Sequence, residues 1–250
     1  MSDHAATSDQ HRPDAIRRRL AAGSRHDYLA DAVLGAIDGC VTTFAVVAGA
    51  TGGALSPLVV IILGFANLLA DGFSMAVSNY HGTRSERDRV EQTRRTEERH
   101  IEQVPDGERE EVRQIFAAKG FEGDVLERIV DTITGDHRLW VNTMLTEEHG
   151  LQLEGADPMR AGAVTFAAFI GVGLVPLLPY LVPGIADGIA FAASGVMAAI
   201  AFWGIGWVKG QRLQLPRLRS AWQTLWTGAA AAGLAYGAGW ALQTLFGAGH

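Results

Sequence analysis

Apolar residues in this chain are gathered into five long blocks: Tyr28 to Leu55, Pro57 to Tyr80, Ala161 to Val182, Ile185 to Val208 and Ala221 to Phe246. Each reaches the roughly 20 residues that a helix needs to cross a hydrocarbon core of about 30 Å. The pattern predicts an all-α membrane protein with five transmembrane helices. Trp203, Trp207, Trp222, Trp226 and Trp240 gather towards block ends, where indole rings favour the membrane interface. A polar tract, about His81 to Arg160, separates the second and third blocks and is long enough for a small helical domain. The expected organisation is a polar tail at 1–27, spans 1 and 2 at 28–80, an inserted domain at 81–160 and spans 3 to 5 at 161–250.

The second block continues past Gly82 into RSERDRVEQTRRTEERHIEQ without a further Gly or Pro. One helix is therefore expected to leave the membrane and run on in water to about Val104, because a proline disfavours helix in the residue before it. Asp106 is expected to cap a second helix up to Gly120. Further helices are predicted at about Gly123 to Thr134 and Asp136 to Glu148, with Gly150 closing the last.

Charge fixes an expected orientation. All 21 Lys and Arg fall in three segments: the tail (Arg12, Arg17, Arg18, Arg19, Arg25), the tract from Arg84 to Arg160, and the loop from Lys209 to Arg219. Five crossings place these segments on one side. The positive-inside rule makes that side the cytoplasm and leaves the C-terminus outside. The first 27 residues lack an apolar core with a small-residue cleavage site, so the first block is expected to be an uncleaved anchor. Cys40 is the single cysteine, which excludes an intramolecular disulfide and a cysteine-cluster metal site. With a net charge of −6 and basic residues mixed among acids, no nucleic-acid partner is expected. Arg outnumbers Lys 19 to 2, a bias of GC-rich genomes that points to a bacterial plasma membrane.

The candidate chemistry begins inside the first two blocks, which hold Asp38 and Asp71 deep within, Asp31 near one end, and neither Lys nor Arg. A carboxylate at bilayer depth costs about 2.5–3.5 kcal/mol and marks a substrate, ion or proton path. Asn67, Asp71 and Met75 are spaced i, i+4, i+8, one stripe on a helix. A hard carboxylate with a soft thioether suits a transition metal such as iron(II) better than sodium or calcium. Gly35, Gly39, Thr42 and Thr43 surround Asp38 in sequence and allow close helix approach. In the insertion, Glu97 with His100, Glu108 with Glu111, and Met144 with Glu148 recur at helical spacings. Carboxylates and imidazoles on facing helices hold iron, manganese or zinc. Each pair alone also fits a solvated face, with Arg94, Arg95, Arg99, Arg109 and Arg113 as ion-pair partners.

Several segments together resemble one known family. DAVLGAIDGCVTTFAVVAGA, GFANLLADGFSMAVSNY, RRTEERHIEQVPDGEREEV, WVNTMLTEEHGL and LVPLLPYLV are similar, in order and spacing, to the vacuolar iron transporter (VIT) family over essentially all of the chain after about residue 25. The resemblance implies a homodimer of five-span protomers in the lipid bilayer that exports ferrous iron, sometimes manganese, from the cytoplasm in exchange for protons. It places Asp38 and Met75 on the path between protomers. It makes the insertion a cytoplasmic metal-binding domain with Glu97, Glu108, Glu111, Glu148 and Met144 as ligands. His100 stands where the family commonly has a glutamate, Leu145 where a second methionine can occur, and Asn67 where some members carry a membrane glutamate; Asp71, one turn on, is the candidate replacement. No permanently bound cofactor is expected, iron or manganese being cargo and regulator.

Two other readings compete. A membrane-anchored, ferritin-like iron oxidase fits Glu97-x-x-His100, but that site type needs a second Glu-x-x-His, and the chain has none. A metal sensor without transport fits the insertion and leaves Asp38 and Asp71 without a purpose.

Overall fold

The computed structural model describes residues 11–21 and 26–247, and among them every regular element is helical. Most of the expected polar tail, including Arg25, and residues 248–250 at the expected outer terminus lie outside the described residues. The elements are α1 (Pro13–Ala21), α2 (Leu29–Gly52), α3 (Pro57–Gln103), α4 (Pro105–Ala118), α5 (Gly123–Thr134) and α6 (His137–Thr143) with a π-helical turn (Met144–Glu148). After these come α7 (Pro158–Gly173) with a 3-10 segment (Val175–Leu181), α8 (Asp187–Arg212) and α9 (Arg217–Phe246). The chain forms two compact units, one of Tyr28–Ser85 with Asp157–His250 and the other of Met1–Asp27 with Glu86–Ala156, so a unit boundary falls within α3.

In the apolar unit α2 packs against α7, α8 and α9. Glycines set the approach: a Cβ on Gly39 would run into the Phe169 backbone carbonyl of α7, and one on Gly239 of α9 would run into the Gly49 carbonyl of α2. Val47, Val60, Leu68, Phe169 and Leu177 are fully buried in the core of this unit.

Three helices, α2, α3 and α8, are individually long and apolar enough to cross a membrane, consistent with an integral membrane protein. The third block departs from the expected straight span. Its helix begins earlier, at Pro158, and ends at Gly173, and the chain then tightens into the 3-10 segment, bent by 42°. Pro176 and Pro179 in that segment lack the N–H that an α-helix would use. Counted as one span, the bent pair makes a fourth. The fifth block folds as the 30-residue helix α9, whose apolar run is diluted by Gln223, Thr224, Thr227, Gln243 and Thr244.

The polar unit is built around Ile101, Val112, Val130, Trp140, Met144 and Leu145. Helix α3 ends at Gln103, ahead of Pro105 as predicted. Helix α4 differs from expectation at both ends. Pro105 opens it, Val104 is the N-cap, and Asp106 lies in the first turn without capping. Proline is favoured there because its missing N–H would have no partner anyway. The helix stops at Ala118, two residues before Gly120, which has φ +92°. Helix α5 spans the predicted residues. The helix expected from Asp136 to Glu148 starts with Asp136 as its N-cap, accepting from Leu139 N at 3.0 Å. It changes at Met144 to π geometry, the His149 N–H donating to Met144 O at 3.2 Å. Arg113 joins α4 to α5 through Glu127 at 2.8 Å.

Candidate metal centre

Three elements of the polar unit converge on one cavity. Helix α3 presents Glu97 and His100, α4 presents Glu108 and Glu111, and the end of the π turn presents Glu148 and His149. With Gln92, Thr93 and Thr96 these line a cavity of about 440 Å³ that is partly open to solvent. Each pair on α3 and α4 is spaced i, i+3, which puts both members on one helix face.

Glu97 and Glu108 are 3% and 4% exposed. His149 Nε2 hydrogen-bonds Glu97 Oε1 at 3.0 Å and lies 3.6 Å from Glu148 Oε2, and His100 Nδ1 lies 3.4 Å from Glu108 Oε1. Glu97, Glu148 and His149 form one triad of convergent donor atoms, and Glu97, His100 and Glu108 form another, the donors of each lying within 4.8 Å of one another. Metal bonds of about 2.0–2.2 Å place neighbouring donors roughly 3 Å apart, so these gaps match edges of a coordination shell.

The electrostatics point the same way. Glu97 Oε2 and Glu108 Oε2 are buried without a hydrogen-bond partner, and an unpartnered buried carboxylate oxygen is costly. Burial first, then the Glu111 and Glu97 charges, push Glu108 up to about 7, with His100 opposing. Burial also raises Glu148, against the pull of neighbouring His149. A divalent cation would relieve both the repulsion and the missing contacts. The residues fit a cation held by carboxylate and imidazole.

Of the ligands expected from the sequence, Glu97, His100, Glu108, Glu111 and Glu148 meet at this cavity. Met144 does not line it and is fully buried in the apolar core. His149 was missed, because it stands next to Glu148 and not three or four residues from it, so no helical spacing signals it. A histidine between a glutamate and the helix-ending Gly150 was the available signal.

In the apolar unit, Asp38 on α2 and Asn67, Asp71 and Met75 on α3 are all half-buried. Asn67 Nδ2 donates to Thr42 Oγ1 at 3.2 Å, and Met75 packs against the core of the unit. A second polar knot was not foreseen: Asn79 Nδ2 donates to Asp31 Oδ1 and to Thr165 Oγ1, each at 2.7 Å, joining α3, α2 and α7.

Fold and site together describe a membrane protein that is helical throughout its described residues, with a cluster of carboxylates and imidazoles in its polar unit that could hold a cation. The VIT family model matches residues 29–240, and the chain belongs to that family. A vacuolar iron transporter of Toxoplasma gondii is 34% identical over 263 residues, covering 99% of this chain and 87% of its own length. Vacuolar iron transporter 1 of Oryza sativa subsp. japonica is 32% identical, with 98% and 95% covered. Vacuolar iron transporter 1 of Arabidopsis thaliana is 34% identical, with 82% of each chain covered.

Proposed function

We propose that this protein is a secondary-active transporter that moves ferrous iron, or manganese, out of the cytoplasm in exchange for protons. What supports the assignment is the pair of half-buried carboxylates, Asp38 on α2 and Asp71 on α3, within the apolar unit, in a chain whose relatives are named vacuolar iron transporters. A carboxylate holds either a cation or a proton, so an arriving divalent cation releases protons and protons from the other side release the cation. Met75 adds a soft neutral ligand that favours a transition metal over sodium or calcium. Asp71 supplies, one turn on, the carboxylate that Asn67 lacks.

On this basis all five apolar segments cross the bilayer, α9 included, since its 30 residues extend about 45 Å at 1.5 Å each. The tail and the insertion are cytoplasmic and the C-terminus is outside. The membrane is a bacterial plasma membrane, a location that differs from the vacuole in the relatives' names. Leu58, Ile62, Leu69 and Phe73 of α3 are exposed in the single chain, a face available to a second protomer in a homodimer. The centre in the polar unit gathers the metal to be exported.

The test is ferrous uptake into proteoliposomes under an imposed pH gradient, wild type against Asp38→Ala. Gradient-driven uptake that is lost in the variant is the expected result. Uptake by Asp38→Ala that still follows the gradient would refute the coupling role.

A further inference from the structure

Helix α8 ends at Arg212 and α9 begins at Arg217, and their ends carry four basic residues, Lys209, Arg212, Arg217 and Arg219. The two helix ends touch. A Cβ on Gly210 of α8 would come within 2.9 Å of Arg217 Cα, and one on Gly206 within 2.6 Å of Ala221 Cα, so the basic residues of both helices are gathered at the tip of one hairpin. The turn is tied by the Leu215 N–H, which donates to Gly210 O at 2.9 Å. No acid balances this charge. Asp187 is the last acidic residue of the chain, and among the described residues none of the four basic side chains forms an ion pair. Arg95 and Arg113 of the polar unit, by contrast, are matched by Glu91 and Glu127.

The same tip holds apolar side chains in the open. Leu213 and Leu215 of the turn are exposed, and Leu218, Trp222 and Trp226, spaced i, i+4, i+8 on α9, form an exposed stripe that leads away from the charges. Trp203 of α8 meets Trp222 edge-on with ring centres 5.5 Å apart, and the Arg217 guanidinium lies 5.8 Å from the centre of the Trp207 ring. Indole rings favour the level where hydrocarbon gives way to water, and α8 is long and apolar enough to span the bilayer. The charges therefore fall at head-group level and the stripe at the level of the acyl chains. A soluble anion would match the charges and leave the stripe bare, and a second copy docked by the same face would set cations against cations. A lipid with a negative head group meets both features, and basic clusters flanking a span hold such head groups.

We propose that the α8–α9 hairpin binds an anionic phospholipid, its phosphate among the four basic side chains and an acyl chain along the stripe from Leu218 to Trp226. Arg217, braced against Trp207, can turn its N–H edge to the phosphate oxygens. The long stems of Lys209 and Arg212 can lie along apolar surface while their charged ends reach the same phosphate. Four like charges held at closely packed helix ends repel one another, and a bound anion removes that repulsion, so the lipid should stabilise the hairpin. The site uses no residue of the metal centre and none assigned to the transport path, and it holds or fails separately from the transport reading.

The test uses the full chain in detergent, titrated with phosphatidylglycerol brominated on its acyl chains, which quenches indole fluorescence on contact. Half-quenching of the wild type should need much less of this lipid than of phosphatidylcholine brominated in the same way. Arg212→Gln with Arg219→Gln should weaken the phosphatidylglycerol response by about tenfold or more and leave the phosphatidylcholine response unchanged. Arg128→Gln with Arg138→Gln, an equal loss of charge at exposed positions of the polar unit, should behave as wild type. Equal quenching by the two lipids, or a preference that survives Arg212→Gln with Arg219→Gln, overturns the proposal. Displacement of the brominated lipid by glycerol phosphate would overturn it in favour of a soluble phosphate, and a dimer lost in sedimentation of the double variant without any lipid preference would give the surface to a second copy. Arg212 and Arg219 are exposed, so the double variant should melt as wild type in lipid-free detergent. Should it unfold, the wild type alone decides: its preference for phosphatidylglycerol should shrink in about 0.5 M salt, where exposed charges are screened, and a preference indifferent to salt overturns the proposal.

Discussion

In the apolar unit, helices meet at glycine contacts, and Asp38 and Asp71 come from different helices and stay half-buried. In the polar unit, the helix faces stand apart around a cavity, and six acidic and imidazole side chains point into it. Close packing leaves little room for ligands, so the apolar unit has few polar contacts, such as Asn67 with Thr42 and Asn79 with Asp31 and Thr165. The polar unit instead leaves two carboxylate oxygens buried and unpartnered. One region is built for tight helix packing around sparse charges, and the other leaves carboxylate oxygens that a cation would complete.

The largest expected effect breaks one side of this contrast and spares the other. Gly39→Leu would force side-chain atoms into the Phe169 backbone, costing on the order of 3 kcal/mol or more. Thermal melts in detergent should show the loss while Co(II) binding by the polar unit persists. A wild-type melting temperature would mean that the glycine contact does not hold the apolar unit together.

Next comes Asp71→Asn, expected to slow gradient-driven ferrous uptake about tenfold or more, a barrier increase of about 1.4 kcal/mol or more. Normal uptake by Asp71→Asn alongside a dead Asp38→Asn would remove Asp71 from the path.

The polar unit should respond to pH in the metal-free state. Folding raises Glu108 to about 7, so between the unfolded carboxylate range and that value the folded chain holds a proton that the unfolded chain has released. The resulting stability is fully present below the unfolded value and is lost as pH rises through about 7. Protection of the α4 amides in chelator, taken relative to their intrinsic exchange rate at each pH, should therefore be greater at pH 5 than at pH 8. Glu108→Gln should flatten the profile, and saturating metal should protect α4 at pH 8. A flat profile in the wild type would show that Glu108 is not strained by its neighbours.

The smallest effect belongs to Arg113→Ala. Its ion pairs with Glu127 and Glu110 are partly exposed, and such pairs contribute about 0.2–1 kcal/mol. Urea titrations should show a loss within that range that shrinks in high salt; a larger, salt-insensitive loss would point to packing of the Arg113 stem.

The sequence made the apolar helices legible because uninterrupted apolar runs leave few alternatives, and Pro105 announced the end of α3. It did not show the bend after Gly173, which depends on how two prolines divide one apolar block. At the metal centre, Glu97, His100, Glu108 and Glu111 were legible as i, i+3 pairs on helices. Met144 was read as a ligand and lies in the core, since periodicity says that two residues share a face but not which face is wet. His149 was invisible because its position depends on a departure from α geometry.

That departure is a single extra residue in one turn. Held in unbroken α geometry, the same residues would turn His149 by roughly 100° about the helix axis, off Glu97.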